Sequence, residues 1–224
     1  MSLIFRYTYT AMDGKKLIIF DKDGTLMDSS PGSFATFQAM AEENNLQAEP
    51  RSRWPESLCG PFSRNIKWLF HLEDDQILPM VMEYVRIYGK NEGYYDFKEY
   101  PGICETVREL AGRYMLSVAT MMYIEFAVKS FQAMDLDGCF LTIQGAVLDR
   151  YVSKQEMLAT CMEIAGVTPE ETVLVGDCID DLESAKEAGI DFVGVTYGYG
   201  FRPEDCEKLG IPYARTPAEL LDIL

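Results

Sequence analysis

The stretch that most constrains this chain is Leu17-Ile18-Ile19-Phe20-Asp21-Lys22-Asp23-Gly24-Thr25-Leu26. Four apolar residues run directly into two carboxylates one residue apart, and a Gly-Thr pair follows. An apolar run of that length, bounded by a turn-forming glycine, predicts a buried strand. A buried strand ending in acids sets negative charge at the carboxyl edge of a sheet, where open α/β folds keep their sites. Carboxylates this close repel, and each raises the other's pKa unless a cation or a partner answers them. The stretch therefore predicts a hard metal ion such as Mg²⁺ or an acid/base pair. The plain alternative is an acidic turn, since Asp and Gly are ordinary turn formers.

The rest of the chain narrows the choice. Its 224 residues suffice for one sizeable α/β domain, or for a core with a smaller domain attached. A formal charge of −16 argues against nucleic acid or an anionic membrane surface as partner. Any anionic substrate then needs a local positive site. Six cysteines (Cys59, Cys104, Cys139, Cys161, Cys178 and Cys206) are scattered without a CxxC pair, which points to reduced thiols in a cytoplasmic protein. His71 alone represents histidine and follows Trp68-Leu69-Phe70 on an apolar helical pattern. A packing or surface role is expected there, so Ser-His-Asp chemistry has almost no place in this chain. No run approaches the roughly 20 apolar residues of a membrane span, and residues 1–16 lack a signal-peptide core. Residues 1–15 read as a tail ahead of the first strand.

Residues 29–98 read as wholly helical, with no strand. Phe34, Phe37, Met40 and Ala41 fall at helical spacing, with Ser33 as the expected cap. Residues 53–62 hold two prolines and a glycine and read as a loop; Ile66, Leu69 and Phe70 are helical again. Met80, Val81, Tyr84, Val85 and Tyr88 mark one face of a further helix. From Pro101 onward the pattern alternates. Strands are expected at 115–119, 139–143, 172–175 and 192–195, with helices at 123–134, 153–165 and 179–188 and closing helices at 203–209 and 217–224. Such alternation predicts a parallel, Rossmann-like sheet with helices on both faces. The expected organisation is a core of 1–28 and 99–224, with a small all-helical cap of 29–98 inserted after the first strand.

In a parallel sheet every strand's carboxyl end lies on the same edge. Thr120 follows Ser117-Val118-Ala119, and Asp177 to Asp181 follow Val173-Leu174-Val175-Gly176. Asp21, Asp23, Thr120, Asp177 and Asp181 can thus converge, and Lys154 opens a helix near enough to join them. An acidic site with one lysine and one hydroxyl is what a Mg²⁺-bound phosphate needs. Each piece also has an ordinary reading. Thr is common in strands, Lys is common on surfaces, and acids are favoured at helix N-termini.

The order Asp-x-Asp-Gly-Thr-Leu, strand-terminal Thr, Lys, Gly-Asp-x-x-x-Asp resembles the haloacid dehalogenase superfamily of phosphohydrolases over about residues 16–224, with the insert corresponding to its helical cap. Pro101-Gly102, the run 183–189 and Val195-Thr196-Tyr197-Gly198-Tyr199-Gly200 further resemble its phosphoglycolate-phosphatase-like branch. The resemblance implies Asp21 as nucleophile giving an aspartyl-phosphate, Asp23 as acid and base, and Thr120 and Lys154 holding phosphoryl oxygens. It implies Mg²⁺ bound by Asp21, the Asp23 carbonyl and Asp177, with Asp181 as ligand or support. Gly24, Thr25 and Met121 would border the substrate. Dehalogenase members lack the second acid, because a halide leaves without a proton, so Asp23 points to phosphate esters. Cys178 stands where many relatives carry Ser, and Met121 where Asn is frequent; the first alters a hydrogen bond near the metal, and the second narrows the phosphate wall.

Arg51, Arg53, Arg64 and Lys67, against Glu56 alone, reverse the local charge of the cap, and Arg64 is the expected substrate contact. The function read from this pattern is a Mg²⁺-dependent phosphatase of small phosphorylated metabolites, acting as a monomer or homodimer. A phosphomutase with the same aspartyl-phosphate, or a non-catalytic binding protein on the same fold, are the alternatives.

Overall fold

The computed structural model describes residues 12–224. The expectation of a tail falls for residues 1–11 outside the described residues. Residues 12–15 are held rather than loose. Lys15 donates through Nζ to the carbonyls of Glu170 (2.7 Å) and Thr172 (3.0 Å) and pairs with Asp191.

The chain enters the sheet with β1 (Leu17–Phe20), every residue of which is buried. A two-residue strand, β2 (Met27–Asp28), then leads into the segment expected to form the cap, which holds α1 (Ser30–Glu43), α2 (Phe62–Phe70) and α3 (Asp74–Lys90). Strand β3 (Lys98–Glu99) returns to the core and pairs antiparallel with β2. The core continues through α4 (Ile103–Ala111), β4 (Met115–Tyr123), α5 (Ile124–Ala133), β5 (Thr142–Ala146), α6 (Lys154–Ala165) and β6 (Thr172–Gly176). It closes with α7 (Ile179–Ala188), β7 (Asp191–Val195), α8 (Pro203–Leu209), β8 (Tyr213–Ala214) and α9 (Leu220–Ile223). The six strands of the main sheet run parallel in the order β5-β4-β1-β6-β7-β8.

Alternation along β1 explains the layering. Ile18 and Phe20 face Val107 and Leu110 of α4, Phe131 of α5 and Leu220 of α9, whereas Leu17 and Ile19 face Met157 and Leu158 of α6 and Leu182 and Ala185 of α7. A strand with period two can serve two apolar layers only if both faces are covered. That requirement makes β1 a central strand, between β4 and β6, and puts its acidic end at the middle of the carboxyl edge. Among the described residues no helix is long and apolar enough to cross a membrane. The six cysteines are all unbonded.

The cap has a core of its own. Phe37, Trp54, Phe70, Tyr84 and Tyr88 pack with Ile66, Leu69 and Ile87, joined by Phe126 from α5. Edge-on ring pairs such as Phe37–Trp54 and Phe37–Phe70, 6.0 and 6.2 Å apart, supply the aromatic contact geometry.

Several local expectations require correction. Ser33 does not cap the first cap helix. Ser29-Ser30-Pro31 starts it earlier, with proline in the first turn, and Ser33 lies buried against the Tyr84 hydroxyl (3.2 Å). Residues Arg51–Ser57 form a 3₁₀ helix rather than a loop. His71 is not on an apolar face; it ends α2 in the left-handed region (φ 53°), with its side chain 53% exposed beside Glu49. The strand expected at 139–143 begins only at Thr142, because Asp137–Cys139 form a 3₁₀ turn. The segment read as strandless ends in Lys98 of β3, paired to Asp28, so a small ribbon spans both crossings into the cap.

Phe37 touches four other rings at the centre of the cap and is 2% exposed. Phe37→Ala should cost about 3–5 kcal/mol, read as a shift of the urea midpoint.

Candidate active site

The carboxyl edge of the sheet brings together groups separated by up to 160 residues of sequence. Asp21 continues β1, its N–H donating to the Val175 carbonyl (2.9 Å). Its side chain points to the α6–α7 side, where Lys154, the first residue of α6, meets it. Lys154 Nζ donates to Asp21 Oδ1 (2.5 Å) and to Asp181 Oδ1 (2.7 Å), with all three groups buried. Lys154 is carried to this point because Ser153 caps α6, accepting the Glu156 N–H at 3.1 Å. Asp181 Oδ2 accepts the N–H and the thiol of Cys178, each at 3.3 Å. The thiol thus makes the hydrogen bond at the position where a serine was expected to be usual.

Asp177 is held from the other side. Its Oδ2 accepts the N–H groups of Tyr199 (2.7 Å) and Gly200 (3.3 Å). Its Oδ1 makes no hydrogen bond among the described residues. The backbone approaches so closely here that only glycine fits. A Cβ on Gly24, whose φ is +85°, would fall 2.3 Å from Asp177 Oδ2; one on Gly198 would fall 2.2 Å from the Gly24 carbonyl oxygen.

Burial raises the Asp21 carboxyl from 3.8 to about 7, with Lys154 pulling against it and Asp181 and Asp23 adding to it. Burial also pushes Asp177 well above the usual carboxylate range, helped by the charges of Asp181 and Asp21. Burial alone would lower Lys154, but the Asp181 and Asp21 carboxylates outweigh it and the net shift is upward. Three buried carboxylates with one ammonium leave a formal deficit of two positive charges. One oxygen or sulfur each from Asp177, Cys178 and Asp181 also lie within 4.8 Å of one another. A divalent, oxygen-seeking cation fits the carboxylates of this set, while the Cys178 thiol serves as a donor to Asp181.

Thr120 lies where β4 and β5 shift register between Ala119 and Tyr123; its hydroxyl accepts the Met122 N–H (3.1 Å). Such an irregularity re-aims side chains at a sheet edge. Met121, next to it, is 46% exposed. Thr25 is sealed from solvent: its hydroxyl lacks a partner and its carbonyl accepts the Tyr197 hydroxyl (3.1 Å). Gly24 and Thr25 shape the loop, with the Thr25 side chain turned into the protein.

The basic patch of the cap is largely neutralised. Arg53 pairs with Glu49 and Glu56, and Lys67 with Asp74. Among the described residues Arg64 makes no hydrogen bond or ion pair. Its guanidinium lies against Gly60, with the Asp180 carboxylate near the same point. It lines an open cavity of about 470 Å³ with Lys67, Trp68 and His71, none of them from the acidic cluster.

Three residues without an expected role belong to the site. Cys59, from the cap, lines a cavity with Cys178, Ile179 and Gly200, and its thiol is pushed up to about 12 by burial and then by Asp177, Asp181 and Asp21. Tyr199 joins Asp177 to the cap entrance, its hydroxyl donating to Asp28 Oδ1 (3.0 Å) and accepting the Ser30 N–H (3.1 Å). Lys22 is fully buried and paired with Asp23. The run Tyr197-Gly198-Tyr199-Gly200 was a visible signal for the second; a lysine between two acids was the only signal for the third.

The family profile described as haloacid dehalogenase-like hydrolase matches residues 18–195. The chain belongs to that family. Among curated relatives, a phosphoglycolate phosphatase of Pseudomonas putida is 29% identical, covering 86% of this chain and 74% of that one. An N-acetylmuramic acid 6-phosphate phosphatase of Pseudomonas aeruginosa is 26% identical over 93% of this chain and 94% of its own. A solved haloacid dehalogenase-like hydrolase from Streptococcus pneumoniae superposes with a TM-score of 0.84 at 26% identity, covering 93% and 98% of the two chains. This haloacid dehalogenase-like protein is an enzyme of the phosphatase class, a phosphoric monoester hydrolase.

The raised Asp21 carboxyl has a consequence for stability. The folded state binds this proton more tightly than the unfolded chain, so the contribution is complete below about pH 4 and is lost as pH rises through 7. In EDTA, thermal melts from pH 4 to 8 should show the wild type losing stability relative to Asp21→Asn across that window. Parallel profiles for the two proteins would contradict the assignment.

Proposed function

We propose that the protein is a Mg²⁺-dependent phosphatase of small phosphomonoesters, similar to the phosphoglycolate phosphatases, working through an aspartyl-phosphate on Asp21. The observation that carries this reading is the Lys154 ammonium bridging Asp21 and Asp181, beside the half-free carboxylate of Asp177. A carboxylate cannot approach a phosphate dianion unless positive charge neutralises both, and in a buried site such neutralisation is strong. Mg²⁺ held by Asp21, Asp177 and the Asp23 carbonyl would supply that neutralisation. Asp181 has both oxygens engaged by Lys154 and Cys178, which favours a supporting role.

In the first step an Asp21 oxygen attacks phosphorus while Lys154 and the Thr120 hydroxyl hold phosphoryl oxygens. The P–O bond to the leaving alcohol breaks, and Asp23 gives that oxygen its proton. In the second step Asp23 takes a proton from water, whose oxygen attacks phosphorus; the P–O bond to Asp21 breaks, freeing the Asp21 carboxylate and inorganic phosphate. Asp23 suits this double duty because its side chain is 25% exposed, the most open of the paired acids in the site. The cap loop at Cys59 shares a cavity with Cys178, next to Asp177 in sequence, where it can limit water during the first step.

The substrate class follows from the cap. Arg64, beside Asp180 where the cap meets the core and without a hydrogen bond or ion pair among the described residues, suits a second anionic group on the phosphate ester. The relatives named above are phosphatases of a glycolate and of a muramic acid, so their substrates carry an acid as well as a phosphate. Six unbonded thiols suit a reducing compartment such as the cytoplasm.

The reading is tested by phosphate release across phosphoglycolate, sugar phosphates, nucleoside monophosphates and pyrophosphate, in Mg²⁺ and then in EDTA. Turnover should vanish in EDTA and return with Mg²⁺; metal-independent release would refute the cofactor. Asp21→Asn should reduce turnover to background while its circular dichroism matches the wild type. Arg64→Ala should raise KM for an acidic phosphomonoester about tenfold, the scale of one lost charge-assisted hydrogen bond, and leave p-nitrophenyl phosphate within about twofold. Equal effects on both substrates would remove Arg64 from the site.

A further inference from the structure

Lys22 is the feature of the active edge that the mechanism above does not use. Side chains alternate along an extended strand, so Asp21 turns toward α6 and α7 while Lys22 turns to the opposite side, under Met27. It is fully buried. A buried ammonium is tolerated only where a charge partner compensates its lost hydration. That partner is Asp23, whose Oδ1 takes the Lys22 ammonium; the Met27 sulfur lies 3.8 Å from the same nitrogen. Among the described residues Asp23 Oδ2 has no hydrogen bond.

The backbone around Lys22 is equally constrained. Its carbonyl accepts the N–H groups of Thr25 (3.3 Å), Leu26 (2.9 Å) and Met27 (3.2 Å), and Gly24 donates to the Met27 carbonyl (2.9 Å). Both ends of the Lys22 side chain are therefore anchored. The root is held by the loop that carries Asp23, and the tip is held by Asp23 itself. Sealed from solvent, the ammonium acts through Asp23 rather than on a phosphoryl group.

We propose that Lys22 is a positioning residue for proton transfer: its ammonium fixes Asp23 Oδ1, so that Oδ2 is presented to the leaving oxygen. The inference rests on the phosphatase reading. In the step it assists, the proton on Asp23 Oδ2 passes to the ester oxygen as the P–O bond breaks, which restores the carboxylate that balances the buried ammonium, and Lys22 keeps its own protons throughout. General-acid assistance is worth about 10²–10⁴ in rate, and it matters only when the leaving group is a poor one.

The test compares kcat/KM, which reports the steps through departure of the leaving group, for phosphoglycolate and for p-nitrophenyl phosphate in Mg²⁺. Lys22→Met keeps the chain length and removes the charge. It should lower kcat/KM for the alkyl ester by about 30-fold and for the aryl ester at least tenfold less. Lys22→Gln, which keeps a donor for Oδ1, should recover most of the alkyl rate. In an Asp23→Asn background, adding Lys22→Met should change either rate less than about twofold, since residues acting through one another are not additive. Equal losses on both esters, or the full Lys22→Met loss persisting without Asp23, would overturn the proposal. A wild type that releases phosphate from neither ester would overturn the phosphatase reading and the proposal with it. Thermal melts of each variant separate a misfolded protein from a mispositioned acid.

Discussion

The structure depends on one buried ammonium. Lys154 sits between Asp21 and Asp181, and without it three carboxylates would face one another in a region almost closed to water. Breaking a buried pair by removing one partner is far more damaging than omitting both, because an uncompensated charge remains. The surrounding fold can be read as what is needed to hold that ammonium in place. The Ser153 cap starts α6 at Lys154, α6 packs through Met157 and Leu158 on the Leu17–Ile19 side of β1, and α7 presents Asp181 from the same layer. The packing of the α6–α7 layer is thus also the support of the site.

The opposite layer has its own buried cation. Lys22 and Lys154 lie on the two sides of the same strand end, each matched to a carboxylate of the Asp21-x-Asp23 pair. Two acids two residues apart would otherwise be near-equivalent. The end of the strand at Phe20 and the turn through Gly24 (φ +85°) distinguish them, setting Asp21 deep against Lys154 and leaving Asp23 more open against Lys22.

How much of this was legible in the sequence depends on the range of the interaction involved. The central strand, the parallel alternation and the meeting of Asp21 and Asp181 with Lys154 follow from local apolar periodicity and one topological rule, so they could be read from the chain. Features set by tertiary contact could not. Ser33 looks like a cap by residue type, yet Pro31 fixes an earlier helix start and the Tyr84 hydroxyl buries Ser33 instead. Lys22 looks like a surface lysine until its partner and its burial are known. That Asp177 and Tyr197 pack directly on Gly24 and Thr25 is likewise a tertiary fact that the local sequence does not show. The His71 pattern was apolar, but a left-handed helix end turned the side chain outward.

The loop after β7 shows why the cap cannot be treated as separate from the chemistry. Tyr199 gives its backbone N–H to Asp177 and its hydroxyl to Asp28, while accepting from Ser30 at the first turn of α1. One residue therefore touches both a carboxylate of the acidic cluster and the strand by which the chain leaves for the cap. Gly198 beside it allows the loop to lie directly on Gly24 and Asp177, with no room for a Cβ. The cap entrance and the acid cluster are thus parts of one packed unit. A displacement of β2 and β3 would have to break the Tyr199 contacts or carry Asp177 with them. The attachment of the helical insert and the acidic cluster therefore share structure through Tyr199.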